Sequence, residues 1–592
     1  MTTLHDQMSS AEMAVRKEVP YSPHDILSRH HALILLMLMG IGIPGVQAKT
    51  WHVSEESLPT IATADKVRTI KQAVSQLKAG DKIVIHGGIY REMVTINQSG
   101  TADQPITLQA APGAWVVLTG SDRITRWAKE PGQELVYSTP WSKRFVTWNK
   151  NNTHPNDDHH RLIGRCEQVF INGYPLRQVL DRTQLSRGSF YVDLRAKRLY
   201  VCSADGQDIS GDNALVEVSA RERILSIKGN YITLSGLQCR YAANRAQQGA
   251  AEFKGDHTTI EDCSFASTNA SGAEFSGQNI TVRRCTFQHN GQLGFGANKA
   301  HRLLITDCTI RNNNTKDFNR GWEAGGDKIC MTRDAVIEHS TFVENHGNGI
   351  WFDIGNENCE VRNCLIAYND NAGIFYEISY GLKAHDNVIV GNGFAFTPGA
   401  WGANAGMSLS SSPQCIIERN LLVGNLEGFN FREQNRSTPR IDGESEPVWN
   451  ADQVIRHNVL AYNRKAQVWG WFDIGDERHW PRSLQTKSDQ SDTSDEGLSL
   501  EDLKLSLTNN LYCPGPGQGL FNWGVTWKRH QRYPDLETVQ TQLGLAQNSI
   551  VADFPAENIA GLDMRIPCDS PAMLKDCYPR GPVPGVRLGI RD

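Results

Sequence analysis

One pattern returns along the middle of this chain: apolar-x-x-(Cys, Asn or Ser)-x-apolar-x-x-Asn. It runs through Ile260…Cys263…Phe265, a first copy without the final Asn, then Val282…Cys285…Phe287…Asn290 and Ile305…Cys308…Ile310…Asn313. Further copies are Ile337…Ser340…Phe342…Asn345, Val361…Cys364…Ile366…Asn369 and Ala384…Asn387…Ile389…Asn392, followed by Ile417…Asn420…Leu422…Asn425 and Ile455…Asn458…Leu460…Asn463. Where no insertion intervenes, copies are about 22 to 24 residues apart. Short β-branched segments at that period, with no helical spacing, predict stacked β coils. Leucine-rich repeats need a leucine consensus that is absent, and a propeller blade needs about twice the length. The predicted fold is therefore all-β, a right-handed parallel β-helix.

In such a solenoid each strand pairs with its equivalent in the next coil, so one residue type forms a line down the axis. Small Cys, Ser and Asn suit an inward turn position, and the terminal Asn suits a left-handed corner. Thirteen cysteines would ordinarily suggest disulfides in an exported chain. The shared repeat position of Cys263, Cys285, Cys308 and Cys364 predicts a buried stack of free thiols instead, with a local Cys568–Cys577 bridge left open. Thr69 to Leu77 reads as an amphipathic helix capping the first coil. Residues 126–222 break the period and contain alternating short strands, which predicts an inserted β subdomain. The chain divides into a signal segment (1–48), cap and first coils (49–125), the insert (126–222), central coils carrying the site (223–480), and a loop with C-terminal coils (481–592). Residues 485–501 read as a surface loop.

Arg29-His30-His31 precedes an apolar run from Ala32 to Met39, and Val46-Gln47-Ala48 follows as a small-x-small site. That order predicts a secretory signal cut after Ala48, with translation starting at Met8, Met13 or later. The run is too short for a comfortable membrane span. A secreted or periplasmic monomer is expected, with no membrane attachment after cleavage. The formal charge of -5 offers no general attraction to nucleic acid.

The segment Gly80–Gly120, with GDKIVIHGGIYREMVTI and SGTADQPITLQAAPGAWVVLTG, resembles the N-terminal coils of pectate-lyase-like β-helix proteins, including lyases of the alginate lyase and chondroitinase B type. The later EAGGDKI, NGIWFDIG and AGIFYEIS resemble exported proteins with right-handed β-helix domains. The resemblance implies the fold and a polysaccharide as partner. It does not choose a reaction, because the superfamily contains lyases, hydrolases, epimerases and adhesins. GGDKI departs from the Gly-Gly-Glu-x-Ile-Arg pattern of the lyases.

Two charged positions share a register. Asp353 lies 13 residues after Ser340, and Glu377 lies 13 after Cys364. Strand alternation turns Trp351 and Asp353 outward, with Ile350, Phe352 and Ile354 inward, and turns Phe375 and Glu377 outward. If Ile329 points inward like Ile354, Lys328 stands beside Asp353. Ser410 and Arg432 continue the register, giving a stripe of Lys328, Asp353, Glu377, Ser410 and Arg432, with Glu323 at its edge. Trp322, Trp351, Tyr376 and Trp401 are candidate sugar-binding aromatics. His346 reads either as a proton shuttle or substrate contact, or as an ordinary turn histidine. Asp157-Asp158-His159-His160 matches no standard zinc spacing, and no metal or cofactor is expected.

Three functions fit. A retaining glycoside hydrolase would use Asp353 and Glu377 as its paired carboxylates. A polysaccharide lyase would use Lys328 or Arg432 as base, with Glu323 and Asp353 holding Ca²⁺ against a uronate carboxylate. In a binding or structural module the stripe would be a salt-bridged surface ladder.

Overall fold

The computed structural model describes residues 48–56, 58–145, 161–395, 404–434, 436–472, 503–525 and 530–591. The proposed signal segment before Ala48, Trp401, Asp157 to His160 and the loop 485–501 lie outside them.

Each coil gives one short strand to each of three parallel sheets, as in Thr281–Arg283, Thr286–Gln288 and Leu293–Asn298. Among the described residues the sheets hold 14, 13 and 13 strands, and neighbours within a sheet are successive coils. The only antiparallel pairing in these three sheets, among the described residues, is at the end of the third, where Gln531–Tyr533 turns back on Gly519–Val525. Alternation buries one side of every strand. Phe265 and Phe287 stack 5.0 Å apart in successive coils, and Phe253, Phe275 and Phe295 fill the same interior.

The repeated polar residues line that interior. Cys285 N–H donates to Cys308 Sγ, Cys308 N–H to Ser340 Oγ (3.0 Å) and Cys364 N–H to Asn387 Oδ1 (3.0 Å). The second line is more regular. Asn313 N–H and Nδ2 both donate to Asn345 Oδ1, and Asn345 N–H and Nδ2 donate to Asn369 Oδ1. Each Nδ2 also reaches a backbone carbonyl behind it, as Asn345 does to Ile310. One side chain thus satisfies backbone groups at a buried corner that no sheet can reach. All thirteen cysteines are free, Cys568 and Cys577 included.

The left-handed corner is not at the ladder Asn, as the sequence suggested, but one residue earlier. His289, Asn312, Glu344 and Tyr368 have φ of 54°, 52°, 55° and 57°. An Asn that must point along the axis inside the coil has to be buried, so the strained turn passes to its outward-facing predecessor.

The N-terminal helix is shorter than the sequence suggested, Ile70–Val74, with a capping box between Thr69 and Gln72. Ile70, Ala73 and Val74 are buried in the main core. The first sheet ends on a strand, Lys66–Val67, which pairs with Thr50–Val53.

Between the first coils and the regular repeat, two small sheets stand apart from the three ladders. One joins Ser121–Arg123, Val216–Ser219, Val169–Ile171 and Tyr174–Pro175; the other contains Val136–Pro140, Arg198–Cys202 and Ser189–Asp193. They close over their own core of Trp127, Trp141, Phe190, Val201 and Ile209. Phe170 stacks on Tyr241 at 3.7 Å, tying this insert to the coils. Further on, the hairpin Arg436–Pro439 and Ser445–Val448 rises beside the third sheet, held by Arg440 on Glu357 at 3.1 Å and over Tyr380 at 3.9 Å.

Candidate active site

The stripe lies on the outer face of the third sheet. There Trp351 pairs with Phe375 and Phe352 with Tyr376, Glu377 pairs with Ser410, and Ser410 with Arg432. Continuing the first register sets Asp353 opposite Glu377, on strands about 4.8 Å apart.

Lys328 joins this group by a different route from the one expected. Ile329 pairs with Phe352, so the residue level with Asp353 is Cys330. Ile354 is not inward but at a left-handed corner, φ 56° and 37% exposed, because the strand ends at Asp353. Lys328 instead reaches diagonally. Its Nζ lies 3.0 Å from Asp353 Oδ2 and 4.0 Å from Glu323 Oε1, donates to Trp322 O at 2.8 Å, and stands 4.2 Å over the Trp351 ring.

Behind Lys328 lies Asp327, which the alternation of Gly-Gly-Asp-Lys-Ile turns into the core. It is fully buried, and its Oδ1 accepts the Trp351 N–H at 2.8 Å in place of a backbone carbonyl. Burial holds its carboxyl well above the usual range.

The electrostatics separate the carboxylates. Asp353 carries the Lys328 ammonium against one oxygen. Burial pulls the Lys328 ammonium down, but Asp353 and Glu323 outweigh it and hold the lysine above its ordinary range. Glu377 is raised by burial first and by Asp353 second, against the pull of Arg432, Arg436 and Lys328. Arg436 Nη1 lies 3.2 Å from Glu377 Oε1. Burial also raises Glu323, with Lys328 pulling it down.

Several expected features differ. Asp353 and Glu377 are not spread on an open sheet; they are 7% and 8% exposed, in the floor of the face. Tyr376 is not a surface aromatic. It is fully buried, packs against Phe352 and donates its hydroxyl to Tyr380 O, because alternation between outward Phe375 and Glu377 turns it inward. Trp351 faces outward but is covered, 2% exposed, and stacks on Phe375 at 5.6 Å. Trp322 is half-buried against Phe318 and Ala324 and serves Lys328 through its carbonyl. His346 lies in the turn before the strand Ile350–Asp353. It pairs with Asp370 at 3.3 Å, which raises its pKa, and takes no part in the carboxylate group.

Sequence reasoning missed Arg436 and Asp327. Arg436 lies in a hairpin outside the repeat, so no register points to it. Asp327 was available from parity alone.

Lys328 stands between Glu323 and Asp353, the two carboxylates that the lyase reading assigns to calcium.

Residues 248–422 match the family described as a right-handed β-helix region, a span that includes Glu323, Lys328, Asp353 and Glu377. This is a right-handed parallel β-helix protein. Residues 64–138 match the chondroitinase B family and end well before the stripe. Among solved structures, the β-helix is similar to that of XylC in complex with xylose, at 17% identity and a TM-score of 0.62, covering 81% of this chain and 86% of that one. A glycoside hydrolase has 14% identity and a TM-score of 0.47, covering 65% and 95%. A mannuronic acid-specific family 6 lyase from human gut microbiota has 11% identity and a TM-score of 0.40, covering 81% and 88%. No curated protein matches the sequence.

Proposed function

We propose that the protein is a carbohydrate-active enzyme that hydrolyses a glycosidic bond with retention of configuration. The observation that carries this reading is the pair of carboxylates on adjacent rungs with opposed environments. Lys328 compensates the charge of Asp353, while burial and Asp353 raise Glu377. Rungs about 4.8 Å apart suit the carboxyl separation of roughly 5 to 5.5 Å that retention requires. Glu377 gives its proton to the glycosidic oxygen as Asp353 attacks the anomeric carbon. The Glu377 carboxylate then takes a proton from the water that displaces Asp353, which restores both groups.

The test is product analysis on a screened polysaccharide. Proton NMR of the first-formed sugar is expected to keep the substrate's anomeric configuration, and inverted product removes Asp353 as nucleophile.

The chondroitinase B match at 64–138 favours a second reading, a uronate lyase with Lys328 or Arg432 as base. Against it, a base must lose its proton readily, and the carboxylates around Lys328 hold its proton more tightly. Absorbance near 232 nm rising on uronate polymers would establish the lyase, since only elimination creates that unsaturated product.

A further inference from the structure

The outward column that carries Lys328 does not begin there. Toward the N-terminus it runs through Gly296, Glu274 and Glu252, each paired with the next rung. Glu274 is two rungs from Lys328, about 10 Å. Between them Gly296 leaves the floor bare: a Cβ placed on it would meet nothing within 4 Å. Asn298, exposed, lies beside it in the column of Cys330 and Asp353. The sheet thus has a bare rung between the stripe and Glu274.

Over Glu274 and Glu252 the face becomes a pocket of about 920 Å³, walled by residues 221–223 and 245–248 and bordered by Lys71 and Met93. Ligand pockets are typically about 300 to 1,000 Å³. Two cations there share one buried carboxylate: Arg223 Nη1 and Lys254 Nζ lie 3.1 and 2.6 Å from Glu252. At the wall Arg221 shares Asp122 with Lys143, at 2.7 and 3.3 Å. Arg245 pairs with Glu222 at 3.4 Å, and Lys71 adds a further exposed ammonium.

A carboxylate shared by two cations neutralises only one of them. That happens twice here, and among the described residues five cations line the pocket against three carboxyls. Burial raises one of the three, Glu274, above the ordinary range, which weakens its opposition to an anion. The cations are also within reach of a ligand. The side chains of Arg223, Arg245 and Lys254 are 29%, 28% and 49% exposed. A guanidinium carries five N–H donors, more than one carboxylate takes up. The pocket therefore attracts an anionic group.

We propose that the groove of the stripe continues over Gly296 into this pocket, and that the pocket holds the anionic group, a carboxylate or a sulfate ester, of a sugar unit in the same glycan chain. It rests on the proposed function in taking the ligand to be a glycan. The bond is cleaved at Asp353 and Glu377, and the anion is read three to four rungs from Asp353, about 15 to 20 Å along the sheet. The substrate is thus selected by a group that takes no part in the reaction.

The test uses the full chain carrying Glu377→Gln, which slows turnover of the probe. Titration calorimetry is run with hexamers of galacturonate, mannuronate and sulfated galactose, and with xylohexaose, mannohexaose and unsulfated galactohexaose. At least one acidic hexamer is expected to bind more tightly than every neutral one, and the uronate and sulfate arms separate the two anions. Adding Lys254→Gln, which leaves Glu252 its Arg223 partner, is expected to weaken that hexamer about tenfold and to leave the neutral ones unchanged. Gly296→Tyr, which fills the bare rung, is expected to weaken it at least as much. Circular dichroism of each variant excludes a folding failure. The proposal is overturned if no acidic hexamer binds more tightly than the neutral ones, or if either substitution leaves the affinity for the acidic hexamer unchanged. The hydrolase reading fails separately, if wild-type chain turns over none of the polysaccharides screened or if Asp353→Asn retains normal turnover.

Discussion

The same coils carry two lines of polar residues with opposite characters. Inside, Asn290, Asn313, Asn345, Asn369, Asn392 and Asn425 repeat one residue and one set of bonds from rung to rung. Outside, Cys330, Asp353, Glu377, Ser410 and Arg432 occupy one column, yet no residue recurs in it. The interior line answers a demand that every rung makes equally, the satisfaction of backbone groups at a buried corner. The exterior line answers no such demand. Its charges are completed by parts that belong to single coils: the Trp322 carbonyl, the diagonal reach of Lys328 and the hairpin-borne Arg436. Periodicity records support, and departures from it record chemistry.

The contrast can be broken first at the stripe. Asp353→Asn and Glu377→Gln are each expected to cut turnover by about 10² to 10⁴. Glu377→Gln, at a carboxyl that burial raises, is expected to leave the urea unfolding midpoint nearly unchanged, whereas Asp353→Asn lowers it by leaving the Lys328 ammonium without its partner at 3.0 Å. A large fall in the midpoint for Glu377→Gln would move that residue into the supporting class. The complementary substitution is Asn345→Ala, which strips the Asn313 N–H of its acceptor and leaves the Ile310 carbonyl without its donor. It is expected to cost roughly 3 to 5 kcal/mol, read as a lowered midpoint in urea, and to leave product configuration unchanged.

Glu433 sharpens the comparison, because it is an acid on the inner side of the wall. It is 1% exposed, accepts the Asn450 N–H at 2.9 Å, and burial raises its carboxyl to about 8. A carboxyl raised in the folded state contributes most stability below its unfolded value and loses it as pH climbs through the folded one. Stability is therefore expected to decline between about pH 4.5 and pH 8. Glu433→Gln flattens that decline, as thermal melts across the range would record. The smallest effect belongs to Arg436→Ala. Removing a cation that pulls Glu377 down is expected to move the alkaline limb of the pH–rate profile to higher pH, because the acid then keeps its proton longer. A limb that does not move leaves Glu377 without the role of general acid.

The fold was legible because Cys, Ser and Asn recur at one position, and a position that recurs must be one the backbone uses. The same reading put the left-handed turn on the Asn and not on its neighbour, since a pattern of residue types does not say which φ carries the strain. The register of Asp353 against Glu377 followed from two equal offsets. Lys328 was placed two residues out of register, because Ile354, used as the reference, has already left its strand. Tyr376 reads as a sugar contact from its aromatic neighbours, yet the alternation that turns Glu377 outward turns it inward. Arg436 could not be read at all, for it reaches the stripe from an insertion whose path no repeat dictates.

The Asn lines have one more consequence. Asn369 and Asn392 are 23 residues apart and meet at 2.9 Å; Asn458 and Asn510 are 52 apart and meet at 3.1 Å. The bond does not register how much chain was paid out between its ends. A lineage can therefore lengthen, shorten or exchange whatever hangs between two rungs without renegotiating the trunk. Diversity of substrates would then accumulate by grafting at the corners, with the trunk inherited whole.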